Sequence, residues 1–290
     1  STPSNSSAAS DVYKRQHQSY VREKNSLFYP IIMYHINTMG KLTSFFTSLY
    51  DFFALLIVSF LKIFKPPYYW GETFYQMKDM GISSLPIVVL TSFTTGMVFA
   101  LQTGHVLSLF GAKMYLGTIV GISMLDELGP VLTALVLSGR IGSGIASELG
   151  AMKVTEQIDA LRAMGVDPIK KLASVRLLAG LVIIPVLTVL SIASGIIGGM
   201  IISVTQLGIP FATYKKSVFE MMMMRDLVMG FTKPFIFALV IITVSVYLGF
   251  TCYGGTEGVG KATTRTVVIS SIFVLVGDFF ITKIILMLLF

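Results

Sequence analysis

From residue 42 onward the chain alternates long apolar runs with shorter polar stretches. Five runs, roughly 82–107, 115–137, 177–204, 234–253 and 267–289, are each about 20 residues or more, the length a helix needs to cross about 30 Å of hydrocarbon. Only helices or closed barrels satisfy their backbone groups in lipid, and unbroken runs of this length exclude the alternating pattern of barrel strands. The pattern predicts an all-α integral membrane protein. An earlier run, 42–64, is interrupted by Asp51 and Lys62 and closed by Lys65-Pro66-Pro67, so it either spans a bilayer or lies on one. Residues 1–26 are Ser-rich, lack apolar periodicity and contain no apolar core of a secretory signal. They read as a disordered polar tail, for which a cloning or sequencing remnant is one origin. The expected organisation is this tail (1–26), an N-terminal region (27–81) and a five-span domain (82–290).

Charge decides between spanning and lying. Cytoplasmic loops retain Lys and Arg. If the 42–64 run crosses, the two sides carry equal numbers of loop cations. If it lies in the interface, sixteen fall on one side and five on the other. That bias predicts five spans, a cytoplasmic N-terminus, an outer C-terminus and an amphipathic interfacial helix before the first span. Lys215, Lys216, Arg225 and Lys233 on the outer side are the exceptions.

Composition agrees. The chain is 54% hydrophobic and 13% charged, with mean hydropathy +0.78, whereas soluble domains carry about 25% charged residues. The net charge of +7 comes from cations set between apolar runs, which argues against nucleic acid as a partner. One cysteine, Cys252, excludes an internal disulfide, and three scattered histidines give no metal-ligand spacing.

The longest polar stretch, 138–176, carries the clearest local signals. Thr155 is a suitable N-cap, Glu156 and Asp159 suit a first turn, and Gly165 followed by Pro168 gives a stop. A short helix over about 156–164 follows, with Ile158, Leu161 and Met164 on one stripe. That stripe packs on the membrane surface or its own bundle, or docks on a cytoplasmic protein. Its acid content favours docking, since a helix made for anionic lipid is rich in Lys and Arg. Gly142, Ala146 and Gly150, four apart, allow close helix packing.

The second span holds Asp126-Glu127-Leu128-Gly129-Pro130 near its middle. A charge there costs at least about 2.5 kcal/mol, so these acids pair with a cation on a neighbouring helix, line a cavity that takes a charged ligand group, or carry protons. Asp278 and Lys283 in the last span are poorly spaced to pair with each other, and Lys283 is expected to snorkel outward. Gly255 to Lys261 imitates a phosphate-binding loop, but Ala262 stands where Ser or Thr must hold magnesium and no strand precedes it. It reads as a turn.

Several of these motifs together resemble the MlaE (YrbE) family of ABC-transporter permeases: Glu127-Leu-Gly-Pro130, Leu137-Ser-Gly-Arg140, Glu148-Leu-Gly-Ala-Met152, Thr155-Glu-Gln157, Gly165-Val-Asp-Pro168 with Arg176, Gly260-Lys-Ala-Thr-Thr-Arg-Thr-Val-Val268 and Asp278. The resemblance implies a homodimeric permease in the bacterial inner membrane. It would sit on two ABC ATPase subunits, which hydrolyse the ATP and carry a small STAS-domain protein, and move phospholipid to or from a periplasmic MCE-domain protein. It makes the cytoplasmic helix a coupling helix, with Glu148, Met152, Glu156, Ile158, Asp159, Leu161, Arg162 and Met164 as ATPase contacts. Met97, Phe99, Leu101, Asp126 and Glu127 become candidate lining of the lipid cavity. This chain has Asp126 where a basic residue is common in the family. No catalytic residue, metal or cofactor is expected in the chain. The competing expectations are an integral-membrane lipid-modifying enzyme using Asp126 and Glu127, and a secondary transporter, for which no inverted repeat is visible.

Overall fold

The computed structural model describes residues 41–220 and 223–289, and every regular element among them is helical. The expected tail and residues 27–40 lie outside the described residues. The helices are α1 (Lys41–Ile63), α2 (Trp70–Leu109), α3 (Lys113–Val154), α4 (Gln157–Ala163), α5 (Ile169–Thr205), α6 (Phe211–Glu220), α7 (Met224–Phe250) and α8 (Gly255–Leu289). Six are long and apolar enough to cross a membrane: α1, α2, α3, α5, α7 and α8. Five of these contain the five expected runs. The sixth is α1, whose segment Phe46–Ile63 has a mean hydropathy of 1.7.

The helices outrun the apolar segments that signalled them. α2 has 40 residues and α3 has 42, lengths of about 60 Å at 1.5 Å per residue, twice the hydrocarbon thickness. Much of the polar stretch 138–176 is therefore helix that continues beyond the apolar layer. α3 keeps going by way of two widened π turns, Met124–Leu128 and Ser138–Gly142. It stops at Thr155, where Glu156 adopts a left-handed conformation at φ 59°. Thr155 is not the cap of α4 that the sequence suggests. Its hydroxyl donates back to the Ala151 carbonyl at 2.9 Å. The stop at the far end of α4 is as expected: Gly165 is left-handed at φ 74°, and the Asp167 carboxylate then receives the Ile169 N–H at 3.0 Å to open α5.

The chain divides into two units between Leu55 and Leu56, within α1. Of the first unit, the described part is the N-terminal portion of α1, with Phe46, Tyr50 and Phe53 exposed. The second unit is built around α2 and α5. Ser84, Val88, Ser92, Gly96, Ala100 and Gly104 recur every fourth residue on α2 and are all buried. They meet Ser191, Gly195 and Gly198 on α5, with the Ser92 and Ser191 hydroxyls bonded to each other. At Gly96 a Cβ would lie 2.0 Å from the Gly195 carbonyl oxygen, so only glycine permits this crossing. α6 caps one end of the bundle: Thr118 donates to the Ser217 carbonyl at 2.7 Å, and buried Tyr214 donates to the Ile196 carbonyl at 3.2 Å. α7 lies behind this pair, with 56% of its most apolar window buried, against 11% for α8. α8 is thus an outer wall of the unit.

Candidate transport cavity and docking surface

Pro130 organises the acidic turn. It has no N–H to donate to the carbonyl four residues back, that of Asp126. The ammonium of Lys233, reaching across from α7, donates to that carbonyl at 2.7 Å. The same ammonium lies 2.9 Å from Glu127 Oε2 and 2.8 Å from Asp278 Oδ1 of α8, and Thr282 donates to Glu127 Oε1 at 3.2 Å. Three membrane-spanning helices therefore meet at one ammonium that has no exposed surface. The π turn helps by widening α3 where Glu127 must turn toward α8.

Glu127, Asp278 and Thr282 of this cluster line a hollow of about 690 Å³ together with Leu275, Phe279, Lys283, Leu286 and Met287. The hollow is open along α8. Of the cavity residues suggested by the sequence, Glu127 lines the hollow. Asp126 points elsewhere, as a neighbour about 100° round a helix must, and its Oδ1 is buried without a hydrogen-bond partner. Met97 and Phe99 pack on the core cluster around Ala100, Leu116 and Met124, and Leu101 is 42% exposed on the outside of α2. The charge pattern puts Lys233 in an outer loop; the structure puts it within α7. A cation at the edge of one apolar run, with acids inside two others, is the signal that pairs them.

The docking surface is α4 with the end of α3. Ile158 is buried against the chain's own bundle, Leu161 is half-buried and Met164 is 69% exposed. Asp159 holds the helix in place, accepting from Lys153 and from Arg162, each at 2.9 Å. Met152 is half-buried, and Glu156 is exposed at the corner. Glu148 is exposed and pairs at 2.7 Å with Arg176 of α5, itself only 3% exposed. Arg176 also donates to the Leu172 carbonyl at 3.0 Å. The apolar stripe is thus shared: its first residue anchors α4, and its last faces outward with the acids.

The glycine run 255–261, which reads as a turn in the sequence, instead forms the first turns of α8, and the connection from α7 is the shorter stretch 251–254. Gly254 and Gly255 both have positive φ, and Glu257 and Lys261 pair along the first turns of α8 at 2.6 Å. Burial pushes the neighbouring Cys252 thiol above its ordinary pKa.

Against this geometry the comparisons with known proteins are decisive. The family described as "Permease MlaE" matches residues 73–284. The chain belongs to the MlaE permease family. A probable ABC transporter permease protein of Rickettsia typhi is 38% identical over 248 residues, covering 85% of this chain and 96% of the relative. The intermembrane phospholipid transport system permease protein MlaE of Haemophilus influenzae is 40% identical over 210 residues, 72% of this chain and 80% of the relative. The chloroplastic protein trigalactosyldiacylglycerol 1 of Arabidopsis thaliana is 33% identical over 223 residues, 77% and 64% respectively. As an MlaE-family permease the chain is a transporter subunit and not an enzyme, and Glu127, neutralised by Lys233, is not placed as a free acid or base.

Proposed function

We propose that this chain is the permease subunit of an ATP-driven ABC transporter that moves phospholipid between the bacterial inner membrane and a periplasmic MCE-domain partner. The observation that carries the reading is the open hollow on α8: an apolar wall beside an ionic cluster, exposed on a helix that buries little of itself. Leu275, Phe279 and Met287 suit acyl chains, while Lys283 is the cation that suits a phosphate group at the polar end. A second copy of the chain closes the hollow, making the transporter a homodimer. α4 and the end of α3 take the ATPase, which supplies the ATP hydrolysis and carries the small STAS-domain protein. Glu127 acts on the cavity wall, and Asp126, Met97, Phe99 and Leu101 act behind or beside it.

The test is affinity purification of the tagged chain in mild detergent, with mass spectrometry of co-purifying proteins and lipid. The expected result is two copies of this chain with an ABC ATPase, an MCE-domain protein and bound phospholipid. Replacing half-buried Leu161 with Asp is expected to remove the ATPase from that complex while the chain stays in the membrane. An ATPase retained by Leu161→Asp, or a chain recovered alone and turning over lipid, overturns the reading.

A further inference from the structure

A second hollow, of about 360 Å³, lies where the end of α1, the start of α2 and the start of α5 converge. Its volume falls within the range of about 300–1,000 Å³ typical of ligand pockets. Ile63, Phe64, Tyr68, Trp70, Val175 and Leu178 give it carbon walls. Its polar groups are already used internally. The Thr73 hydroxyl donates to the Tyr69 carbonyl at 3.0 Å, and the Ser174 hydroxyl to the Ser59 carbonyl at 2.9 Å. Lys170 donates to the carbonyls of Lys62 and Lys65, which closes the C-terminal end of α1, and its ammonium sits 5.5 Å from the Tyr68 ring centroid. Tyr68 in turn stacks on Trp70 at 6.1 Å.

Beside the lining residues stand three further lysines, Lys62 and Lys65 flanking Ile63 and Phe64, and Lys171 following Lys170, with Asp167 and Glu72 against them: Lys62 pairs with Asp167, and Lys171 lies 3.4 Å from Glu72 and 5.9 Å from the Tyr69 ring centroid. Lys65 is exposed and makes no ion pair among the described residues. An occupant must therefore have an apolar body and an anionic end. Free phosphate meets no unused donor inside, and a neutral apolar molecule leaves the lysines unanswered. Paired Tyr and Trp rings beside lysines are also the composition of a membrane–water interface. We propose that this crevice is a second lipid site, separate from the α8 hollow, which holds an anionic phospholipid drawn from the bilayer: its acyl chain between Phe64, Trp70 and Leu178, its headgroup at Lys65 and Lys171.

Trp70 is the only tryptophan in the chain, so the site carries its own reporter. The full chain is reconstituted in phosphatidylcholine vesicles containing, at equal mole fraction, either phosphatidylglycerol or phosphatidylcholine brominated on one acyl chain, and quenching of Trp70 is compared. The anionic lipid is expected to quench with an apparent preference of about fivefold for each lysine it meets. Lys65→Glu with Lys171→Gln reduces that preference to near unity. The pair Trp70→Phe with Phe110→Trp, which moves the reporter to the 78% exposed position after α2, shows no preference. Equal quenching by the two lipids in the unaltered chain, or a preference that survives in the lysine variant, overturns the proposal. So does reversal by millimolar glycerol phosphate, which assigns the site to a free anion. Because only the reconstituted chain and its lipid are read, failure here leaves the transporter reading intact, and failure to recover an ATPase leaves this one intact.

Discussion

A lysine with no exposed surface inside an apolar layer is tolerable only because two carboxylates and a backbone carbonyl surround its ammonium. Removing one partner of such a group leaves the others charged and unanswered, at a cost of about 3–5 kcal/mol. Lys233→Met is therefore expected to lower the melting temperature of the purified protein in detergent markedly. Adding Glu127→Gln and Asp278→Asn removes the stranded charges and restores most of the loss, and a triple variant no more stable than the single one would show that the cluster does not act as a unit. Lipid transport stays low in the restored variant, since the ionic wall of the hollow is gone. At this scale the sequence reveals the acids and their cost but not their partner. Lys233 adjoins Pro234 at the start of an apolar run, where composition cannot tell a loop cation from one carried inside on a helix that begins nine residues earlier, at Met224. Thr282, a neutral hydroxyl in an apolar run, gives no signal at all.

Between elements, the α2–α5 crossing depends on the absence of side chains. Gly96→Ala places a Cβ 2.0 Å from the Gly195 carbonyl oxygen, and backbone on both sides cannot yield cheaply. The expected loss is about 1–3 kcal/mol, read as a lower melting temperature. Gly144, on the projecting end of α3, has open space within 4 Å of where a Cβ would stand, so Gly144→Ala is expected to be neutral or to gain up to about 1 kcal/mol from helix propensity. If the two substitutions had equal effects, close packing would not be what the α2 glycine serves. The four-residue stripe on α2 is written in the sequence, yet it is spelled in Ser, Val, Gly and Ala, which a hydropathy reading treats as background. Likewise 138–176 reads as a loop because polar residues announce departure from lipid, not departure from helix. The Thr155 cap fails for a related reason: the hydroxyl has a competing acceptor one turn back, at Ala151, which is available only once α3 is known to continue that far.

For the whole molecule, burial of Lys233 changes the topology argument. With that cation withdrawn from the outer loops, the five-span arrangement sets sixteen Lys and Arg against four, whereas counting α1 as a sixth span sets ten against nine. Length and apolarity allow α1 to cross. Charge favours the surface, and the end of α1 is fixed by Lys170 and Asp167 to the same end of the second unit as the start of α5. The two arrangements put Lys41 on opposite sides of the bilayer, so labelling of introduced cysteines in intact cells with a membrane-impermeant maleimide separates them. Native Cys252 is 8% exposed and its thiol is held above the ordinary pKa by burial, so little thiolate forms and the background stays low. Lys216→Cys is expected to label from outside, and Glu257→Cys only after permeabilisation; their side chains are 75% and 79% exposed. Lys41→Cys should then behave like Glu257→Cys. If it instead labels from outside alongside Lys216→Cys, α1 is a sixth span, the N-terminus is outside, and the near-even charge count is overruled by the apolarity of Phe46–Ile63. If Glu257→Cys labels from outside and Lys216→Cys does not, the orientation itself is reversed, and α4 faces away from any cytoplasmic ATPase.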